Sequence, residues 1–274
     1  MKISVIIPSY KPQSYIWECL DSLCNQTFPK DDFEVILVLN GCKEPYDGQI
    51  REYISKHQDV CWNYIQMDLG GVCNARNRAL DNAKGQYITF MDDDDYVSPT
   101  YLQELYDAAD ENTVSLSYAY AFDDGKPELQ KMDYSVTKAY EYCLKHNLNK
   151  LSSTVRKYFS GPCMKLIPMS FIHGRRFDPR FRIGEDCLYM FLISDKIDKV
   201  AFTSRNAVYY RRFRLESVSF AGRSKEEDIK NEIACIWEYT KMYFRGGYST
   251  SFYLTRIAAV IKVRMRSFFA TKVR

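Results

Sequence analysis

The sequence lacks the features of a disulfide-stabilised, membrane-spanning or nucleic-acid-binding protein. Its nine cysteines are an odd number with no C-x-x-C pair, which disfavours a disulfide framework or zinc site and suits a reducing cytosol. No stretch approaches the ~20 apolar residues that span a bilayer, and Pro8 interrupts the N-terminal run too early for a signal peptide. A net charge of +3 gives no reason to expect nucleic acid as a partner. We therefore expect a packed cytoplasmic protein.

Strand and helix patterns alternate over the first hundred residues. Four runs rich in β-branched and aromatic residues predict strands, at 3–7, 33–39, 61–67 and 87–91. The segments between them carry apolar residues at helical spacing. This alternation predicts parallel strands with right-handed crossovers, which is the doubly wound α/β arrangement of nucleotide-binding domains.

The second half of the chain follows a different pattern. Apolar and polar residues alternate over 114–122, which predicts one strand with a single buried face. The other predicted elements are a helix at 139–147, a loop at 152–168, a helix from 184, a strand at 207–210 and two C-terminal helices at 225–244 and 251–269.

Four consecutive aspartates, Asp92, Asp93, Asp94 and Asp95, directly follow the strand predicted at 87–91. In open α/β sheets, ligands bind at the carboxyl ends of the strands. Packing four anions together is costly unless a cation or strong donors neutralise them. A divalent metal would do so, whereas a solvated acidic turn before the next helix would avoid the cost by facing water. The local sequence leaves both interpretations open.

Five motifs resemble those of the family-2 glycosyltransferases, which have the nucleotide-diphospho-sugar transferase fold. They lie at residues 4–10, 26–28, 75–77, 85–95 and 184–186. Each motif is weak alone, but their order and spacing are specific, and the likeness runs from residue 2 to about residue 219. It implies a mixed, mainly parallel doubly wound sheet with C-terminal helices. It also implies inverting transfer of a sugar from a nucleotide-diphosphate donor, expected to be a UDP-sugar, to a hydroxyl of a glycan or lipid-linked acceptor.

The resemblance assigns the aspartates to an Asp-x-Asp motif that binds Mn²⁺ or Mg²⁺. Such an ion would stabilise the charge that develops on a departing diphosphate. Alternate residues at a strand end point the same way, which suits Asp92 and Asp94. We expect Asp94 to be the direct metal ligand, Asp92 to contact metal or ribose, and Asp93 to contact the nucleotide-sugar. Asp95 is the remaining member of the run.

The same resemblance predicts the nucleotide-binding residues. Pro8, Ser9 and Tyr10 are expected to line the base pocket, with Tyr10 against the ring. Arg76, near a helix N-terminus, is expected to meet the donor diphosphate, although it could be only an exposed helix charge. Asn40 departs from the family pattern, which commonly has two acidic residues there. Its amide oxygen could still accept a hydrogen bond from the base.

An inverting transfer needs a general base near the acceptor hydroxyl. Glu185 and Asp186 match the family's acidic pair, so we expect Asp186 to be the base, with Glu185 as the alternate. The same two residues would also stabilise the N-terminus of a helix. The segments 209–212 and 217–219 resemble the region after the last family strand and are expected to bind diphosphate or acceptor.

The C-terminal helix has an amphipathic and basic pattern. Its predicted apolar face contains Leu254, Ile257, Ala258, Ile261, Met265 and Phe268. Its basic residues, with no acidic residue among them, are Arg256, Lys262, Arg264, Arg266, Lys272 and Arg274. Such a helix can lie on an anionic membrane, or it can dock on the preceding domain. The first interpretation would make the protein peripheral at the inner face of the cytoplasmic membrane.

The resulting prediction is a glycosyltransferase domain over 1–222 and a helical extension over 223–274. The domain divides into a nucleotide-binding half, 1–100, and an acceptor half, 101–222, and acts in surface polysaccharide biosynthesis. Two other functions stay open, a non-catalytic partner subunit with this fold and a sugar-nucleotide nucleotidyltransferase. The basic glycine-rich loop of the latter is not evident in the sequence. A dehydrogenase is disfavoured because Gly70 and Gly71 lack the G-x-G-x-x-G spacing.

Overall fold

The structure, a computed structural model, describes residues 1–214 and 225–270, without the side chains of 225 and 263–270. Within these residues the strands are β1 (Ile3–Ser9), β2 (Phe33–Asn40), β3 (Cys61–Met67), β4 (Tyr87–Phe90), β5 (Tyr96–Val97), β6 (Thr113–Leu116), β7 (Tyr118–Asp123), β8 (Lys165–Pro168), β9 (Lys199–Phe202) and β10 (Val208–Phe213). The α-helices are α1 (Tyr15–Cys24), α2 (Tyr46–Lys56), α3 (Val72–Asn82), α4 (Tyr101–Asp107), α5 (Ser135–Lys145), α6 (Met169–Ile172), α7 (Glu185–Leu192), α8 (Lys225–Phe244) and α9 (Thr250–Ala270).

Seven strands form one sheet in the order β3-β2-β1-β4-β8-β6-β9, and a smaller sheet has the order β5-β10-β7. In the large sheet only β8 runs antiparallel to its neighbours. Strands β1 and β2 are buried throughout, as expected for central parallel strands covered on both faces. The predicted mixed, mainly parallel doubly wound sheet is confirmed.

The strand order reverses between β1 and β4. After β1 the chain builds outward through β2 and β3, then returns to place β4 on the other side of β1. A crevice forms at such a switch point, beyond the carboxyl ends of the two strands. Ser9 ends β1, and the aspartates follow β4, so the two predicted binding segments meet there.

The prediction of a single strand over 114–122 is wrong. Residues Thr113–Leu116 form β6 in the large sheet, whereas Tyr118–Asp123 form β7 in the small one. Ser117 lies between them, and its backbone N–H donates to Met164 O at 3.1 Å. Alternation along the sequence continues through a strand that changes sheets, because successive side chains point to opposite faces in either sheet. The pattern therefore could not locate the break.

The segment predicted as a loop over 152–168 is also partly regular. It contains a 3₁₀ helix, Val155–Ser160, and then β8. Strand β9 was not predicted at all, because its four residues are too few to show a clear period. The helices predicted at 139–147 and 251–269 are found at Ser135–Lys145 and Thr250–Ala270.

Helices α8 and α9 pack on the α/β domain. Cys235, Tyr239 and Met242 of α8 and Phe252 of α9 are buried in the same core as the central sheet. Among the described helices, none is both long enough and apolar enough to cross a membrane.

Candidate active site

The aspartates form a turn, rather than the end of a strand. Strand β4 ends at Phe90, and the Asp95 N–H donates to Asp92 O at 3.2 Å. The expectation that strand alternation aligns Asp92 with Asp94 is therefore wrong, although the turn brings their carboxylates together. Oxygens of Asp92, Asp94 and Asp95 all lie within 4.8 Å of one another.

Asp93 and Asp95 are held by neighbouring strands. Ser9 Oγ donates to Asp93 Oδ2 at 2.6 Å, which joins the end of β1 to the turn. Asp95 is 2 % exposed and accepts from the Tyr209 hydroxyl at 2.7 Å and the Arg212 N–H at 2.8 Å. Burial raises the pKa of Asp93 to about 7, and burial with the Asp94 charge raises that of Asp95 well above its ordinary value.

Asp94 and Asp92 are both partly exposed. Asp94 Oδ2 accepts from Arg214 Nε at 2.6 Å, and its other carboxylate oxygen accepts no hydrogen bond from any described residue. Burial and the nearby Asp92 charge raise the pKa of Asp94, whereas Arg214 opposes the rise. One side-chain oxygen of Asp92 accepts from Arg76.

This donor set fits a divalent cation. Carboxylate oxygens are the ligands that Mg²⁺ and Mn²⁺ prefer, and Mg²⁺ is commonly held by one or two carboxylates with substrate phosphates. Asp94 and Asp92 supply two carboxylates that lie close together in the turn, and the Asp92 charge contributes to the raised pKa of Asp94. Asp95 is less suited because Tyr209 and Arg212 already occupy its two oxygens.

Arg76 joins this turn to the second acidic motif. It lies on α3, is 3 % exposed, and donates from Nη1 to Asp186 Oδ1 at 2.5 Å and from Nη2 to Asp92 Oδ1 at 3.2 Å. Its guanidinium also lies over the Phe177 ring, 5.2 Å from the centroid. Arg76 is therefore not the exposed helix charge considered as an alternative. Its position between two carboxylates was not predicted either.

Helix α7 presents Glu185 and Asp186 at its first turn. Gly184 precedes them with φ +81°, a left-handed conformation that suits glycine. Burial and the adjacent Asp186 charge raise the pKa of Glu185 to about 7. Burial also raises the pKa of Asp186, whereas Arg76 acts to lower it.

The predicted base pocket lies between the ends of β1 and β2. The Tyr10 ring is half exposed, with Lys11 Nζ 5.3 Å from its centroid. Asn40 donates from Nδ2 to Ser9 O at 2.7 Å and accepts at Oδ1 from the Gly71 N–H at 2.9 Å. Binding of a base by Asn40 stays a prediction and would use the second lone pair of that oxygen.

Gly41 lets two loops approach each other beside Tyr10. It has φ +66°, and a Cβ built there would lie 2.8 Å from Gly70 Cα and 3.4 Å from Tyr10 Cε2. Only glycine allows so close a contact in this conformation. The loop that follows β2 and the loop before α3 together form the wall of the crevice next to Tyr10.

Strand β10 adds cations to the acidic crevice. Burial acts to lower the pKa of Arg211, but the nearby Tyr134, Asp95 and Asp92 raise it well above its ordinary value. Arg211 has no ion-pair partner within 4.0 Å among the residues that the structure describes. The expectation that the segment 209–212 contributes to the site stays a prediction, and residues 217–219 lie outside the described residues.

Two basic residues are buried near Asp186: Lys165, which was not a candidate, and Arg256, which was predicted only as a basic residue of the C-terminal helix. Lys165, fully buried, donates to Gly161 O at 2.7 Å and Cys163 O at 2.5 Å. Arg256 of α9, 3 % exposed, donates to Phe159 O and lies 3.4 Å from Cys187 Sγ. Lys165 interrupts an otherwise apolar run at 162–168, which could have indicated a buried cation.

Helix α9 docks through a face that contains only part of the predicted apolar one. Phe252 and Arg256 are buried, whereas Leu254, Ala258 and Ile261 are exposed. Ile257 packs on the core. The helix is therefore docked on the domain, which was one of the two interpretations. The exposed Leu254, Ala258 and Ile261 form an apolar stripe on its outer side. The side chains of Met265, Phe268, Arg264 and Arg266, and residues Lys272 and Arg274, lie outside the described ones.

Comparison with known proteins identifies the class. Residues 4–173 match the family described as glycosyl transferase family 2, which covers more than half of the chain. The chain belongs to glycosyltransferase family 2. The predicted family is therefore confirmed.

Individual relatives are similar over part of their lengths. A poly(ribitol-phosphate) β-glucosyltransferase of Bacillus spizizenii is 40% identical over 112 residues, which are 41% of this chain and 18% of that protein. The chain therefore spans a small part of this relative. Residues 1–349 of Staphylococcus aureus TarS in complex with UDP-GlcNAc superpose with a TM-score of 0.69 and 26% identity, covering 87% of this chain and 66% of the other. A Pyrobaculum calidifontis mannosyltransferase solved with GDP-Man and Mn²⁺ has a TM-score of 0.64 at 15% identity over 99% and 79% of the two chains, and shares the fold alone.

Proposed function

We propose that the chain transfers a hexosyl or N-acetylhexosaminyl group from a UDP-sugar to a hydroxyl of a glycan or lipid-linked acceptor in surface polysaccharide biosynthesis. Family membership supports the reaction type. The B. spizizenii relative, named for transfer to poly(ribitol-phosphate), and the TarS complex with UDP-GlcNAc support this donor and acceptor class.

One geometric observation carries the proposal. The aspartate turn after β4 and the acidic pair at the start of α7 are far apart in sequence. Arg76 nevertheless contacts both, through Asp92 of the turn and Asp186 of the pair. The candidate metal-binding turn and the candidate base are therefore joined through one arginine, which supports a displacement at the anomeric carbon between them.

The donor would lie across the ends of β1 and β4. Pro8, Ser9 and Tyr10 would line the base pocket, with the exposed Tyr10 ring against the base. Arg211, whose charge is not paired with any described carboxylate, would contact the diphosphate. Asp93 would contribute through its hydrogen bond with Ser9.

Asp94 would hold Mn²⁺ or Mg²⁺, with Asp92 as second ligand or ribose contact. When bound, the ion would supply charge stabilisation to the departing diphosphate. Arg214, now 2.6 Å from Asp94, would orient that carboxylate. Asp95 would fix the turn through Tyr209 and Arg212.

Asp186 would accept the proton of the acceptor hydroxyl. As that oxygen bonds to the anomeric carbon, the bond from this carbon to the β-phosphate oxygen breaks, and its electron pair leaves with UDP. The opposite directions of attack and departure invert the anomeric centre. Glu185 is the alternate base. The raised pKa values of both carboxyls suit proton transfer near neutral pH.

Release of UDP from a panel of UDP-sugars tests the proposal. In the presence of Mn²⁺ we expect release by the wild type, loss of release in Asp94→Ala, and normal release in Asp31→Ala, an aspartate remote from the turn. Wild-type protein that binds UDP without turnover on any donor and acceptor would indicate the non-catalytic subunit. Formation of UDP-sugar and pyrophosphate from UTP and a sugar phosphate would indicate the nucleotidyltransferase.

Contact of α9 with a membrane is a separate part of the proposal. The outward-facing Leu254, Ala258 and Ile261 would insert at the interface of an anionic bilayer. The basic C-terminal residues of the sequence would add electrostatic attraction. This location would bring the crevice close to a lipid-linked acceptor.

A further inference from the structure

A groove of about 510 Å³ lies beside the candidate active site, between α8 and the loop at 178–182. Its volume is within the roughly 300–1,000 Å³ typical of small-molecule sites. The residues that define its chemistry are Arg180, Phe181, Asn231, Trp237, Glu238 and Lys241. None of these residues was singled out from the sequence.

Trp237 forms an aromatic wall of this groove. Its side chain is 61 % exposed, whereas Phe181 in the same groove is buried. An indole offers a flat apolar face and an N–H at its edge. A pyranose ring has the matching form, because its C–H groups make an apolar face and its hydroxyls project from the rim.

The charged residues of the groove neutralise one another. Arg180 Nη2 lies 2.5 Å from Asp178 Oδ2 and 3.2 Å from Glu238 Oε1. Lys241 Nζ lies 2.7 Å from the same Glu238 oxygen. Because each cation already has a carboxylate partner, the groove favours a neutral polar ligand over an anion. The paired groups retain further donors and acceptors for hydroxyls.

The groove lies close to the acidic pair. Asn231 Nδ2 donates to Ile183 O at 3.0 Å, and Ile183 is followed directly by Gly184, Glu185 and Asp186. On the other side, the Cys73 thiol, one helical turn before Arg76, lies 3.9 Å from Phe181 O. The groove is therefore a neighbouring surface for the part of an acceptor that extends beyond Asp186.

We propose that this groove is a subsite for a neutral sugar residue of the acceptor glycan, beyond the residue that receives the transferred sugar. Trp237 stacks on the pyranose ring, and Arg180 and Glu238 hydrogen-bond its hydroxyls. The assignment of this sugar to an acceptor depends on the proposed function, whereas its binding in the groove can be measured without turnover.

Binding of the full chain to an array of neutral oligosaccharides of increasing length tests the subsite. We expect the wild type to bind, Trp237→Ala to weaken binding about tenfold or more, and Trp237→Phe to retain part of it. Phe244→Ala is the matched control, because Phe244 is exposed on the same helix but outside the groove. UDP with Mn²⁺ should stabilise wild type and Trp237→Ala equally against thermal unfolding.

Equal oligosaccharide binding by wild type and Trp237→Ala would overturn the subsite. So would the absence of binding to any array member by a wild type that UDP and Mn²⁺ do stabilise. Trp237-dependent binding by a protein that UDP does not stabilise would support the groove as a sugar site and remove the donor site proposed above. The two proposals therefore fail in different ways.

Discussion

Arg76 Nη1 lies 2.5 Å from Asp186 Oδ1, in an ion pair whose arginine is almost completely buried. The same guanidinium reaches Asp92 with its other terminal nitrogen. Arg76 therefore fixes the distance between the candidate base and the candidate metal-binding turn. Its positive charge also opposes the rise in the pKa of Asp186 that burial causes.

Replacement of Arg76 should change the pH dependence of transfer. In Arg76→Gln, loss of the positive charge raises the pKa of Asp186 further, so the acid limb of kcat/KM moves to higher pH. Arg76→Lys keeps the charge and should move the limb less. Initial rates across a pH series measure both effects. An unmoved limb with a large rise in KM for the donor would indicate that Arg76 acts on the diphosphate instead.

Substitutions of Asp94 and Asp95 should affect different properties, metal binding for Asp94 and the free energy of unfolding for Asp95. Asp94→Ala removes a metal ligand, and we expect loss of the extra thermal stability that Mn²⁺ gives with UDP. Asp95→Asn places an amide where Tyr209 and the Arg212 N–H both donate, which should cost ~1–3 kcal/mol of unfolding free energy. Thermal and urea unfolding with and without UDP and Mn²⁺ measure the two effects. Normal stabilisation of Asp94→Ala by UDP and Mn²⁺ would exclude Asp94 as the ligand.

Lys165 should make stability depend on pH. Burial lowers its pKa from 10.5 to about 7 in the folded protein. Between these values the unfolded chain binds more protons, so the contribution of Lys165 to the free energy of unfolding rises with increasing pH. Lys165→Met removes this contribution.

The difference between wild-type and Lys165→Met unfolding free energies should therefore change by up to ~1.4 kcal/mol per pH unit in that range. Urea unfolding at several pH values above 7 measures the difference. A constant difference would show that the carbonyls of Gly161 and Cys163 keep the ammonium charged.

The outward face of α9 can be tested with vesicles of phosphatidylglycerol and phosphatidylcholine. We expect co-sedimentation of the wild type and its loss when Leu254 and Ile261 are both replaced by serine. Leu129→Ser with Leu144→Ser is the matched control, since both leucines are exposed elsewhere on the chain. Equal binding of wild type and the α9 variant would contradict the membrane contact. Truncation after Gly247 is unsuitable because it removes the buried Phe252 and Arg256.

Local patterns were sufficient to predict the first half of the fold. The runs at 3–7, 33–39 and 87–91 correspond to β1, β2 and β4 because buried parallel strands are nearly continuous in apolar residues, and the run at 61–67 corresponds to β3, a partly exposed edge strand. The break between β6 and β7 was not predictable, because side chains keep alternating along the sequence where the chain passes from one sheet to the other. Strand β9 was not predicted because its four residues are too few to show a periodic pattern.

The residues of the candidate site could be predicted from the sequence, but the contacts among them could not. The motifs identified Asp92, Arg76 and Asp186 as separate candidates. Their mutual contacts join residues 76, 92 and 186, and sequence spacing contains no information about such distances. The same limit applies to Asn40, because its bonds to Ser9 and Gly71 join the ends of two strands and the loop before α3.

Arg256 reaches from α9 to the carbonyl of Phe159, in the segment that leads to the buried Lys165 and the neighbourhood of Asp186. The C-terminal helices are thus part of the scaffold of the candidate acceptor side, although the family motifs end well before them. Chimeras between relatives should exchange α9 together with the 3₁₀ helix at Val155–Ser160, because either piece alone would separate a buried guanidinium from its only described backbone acceptor.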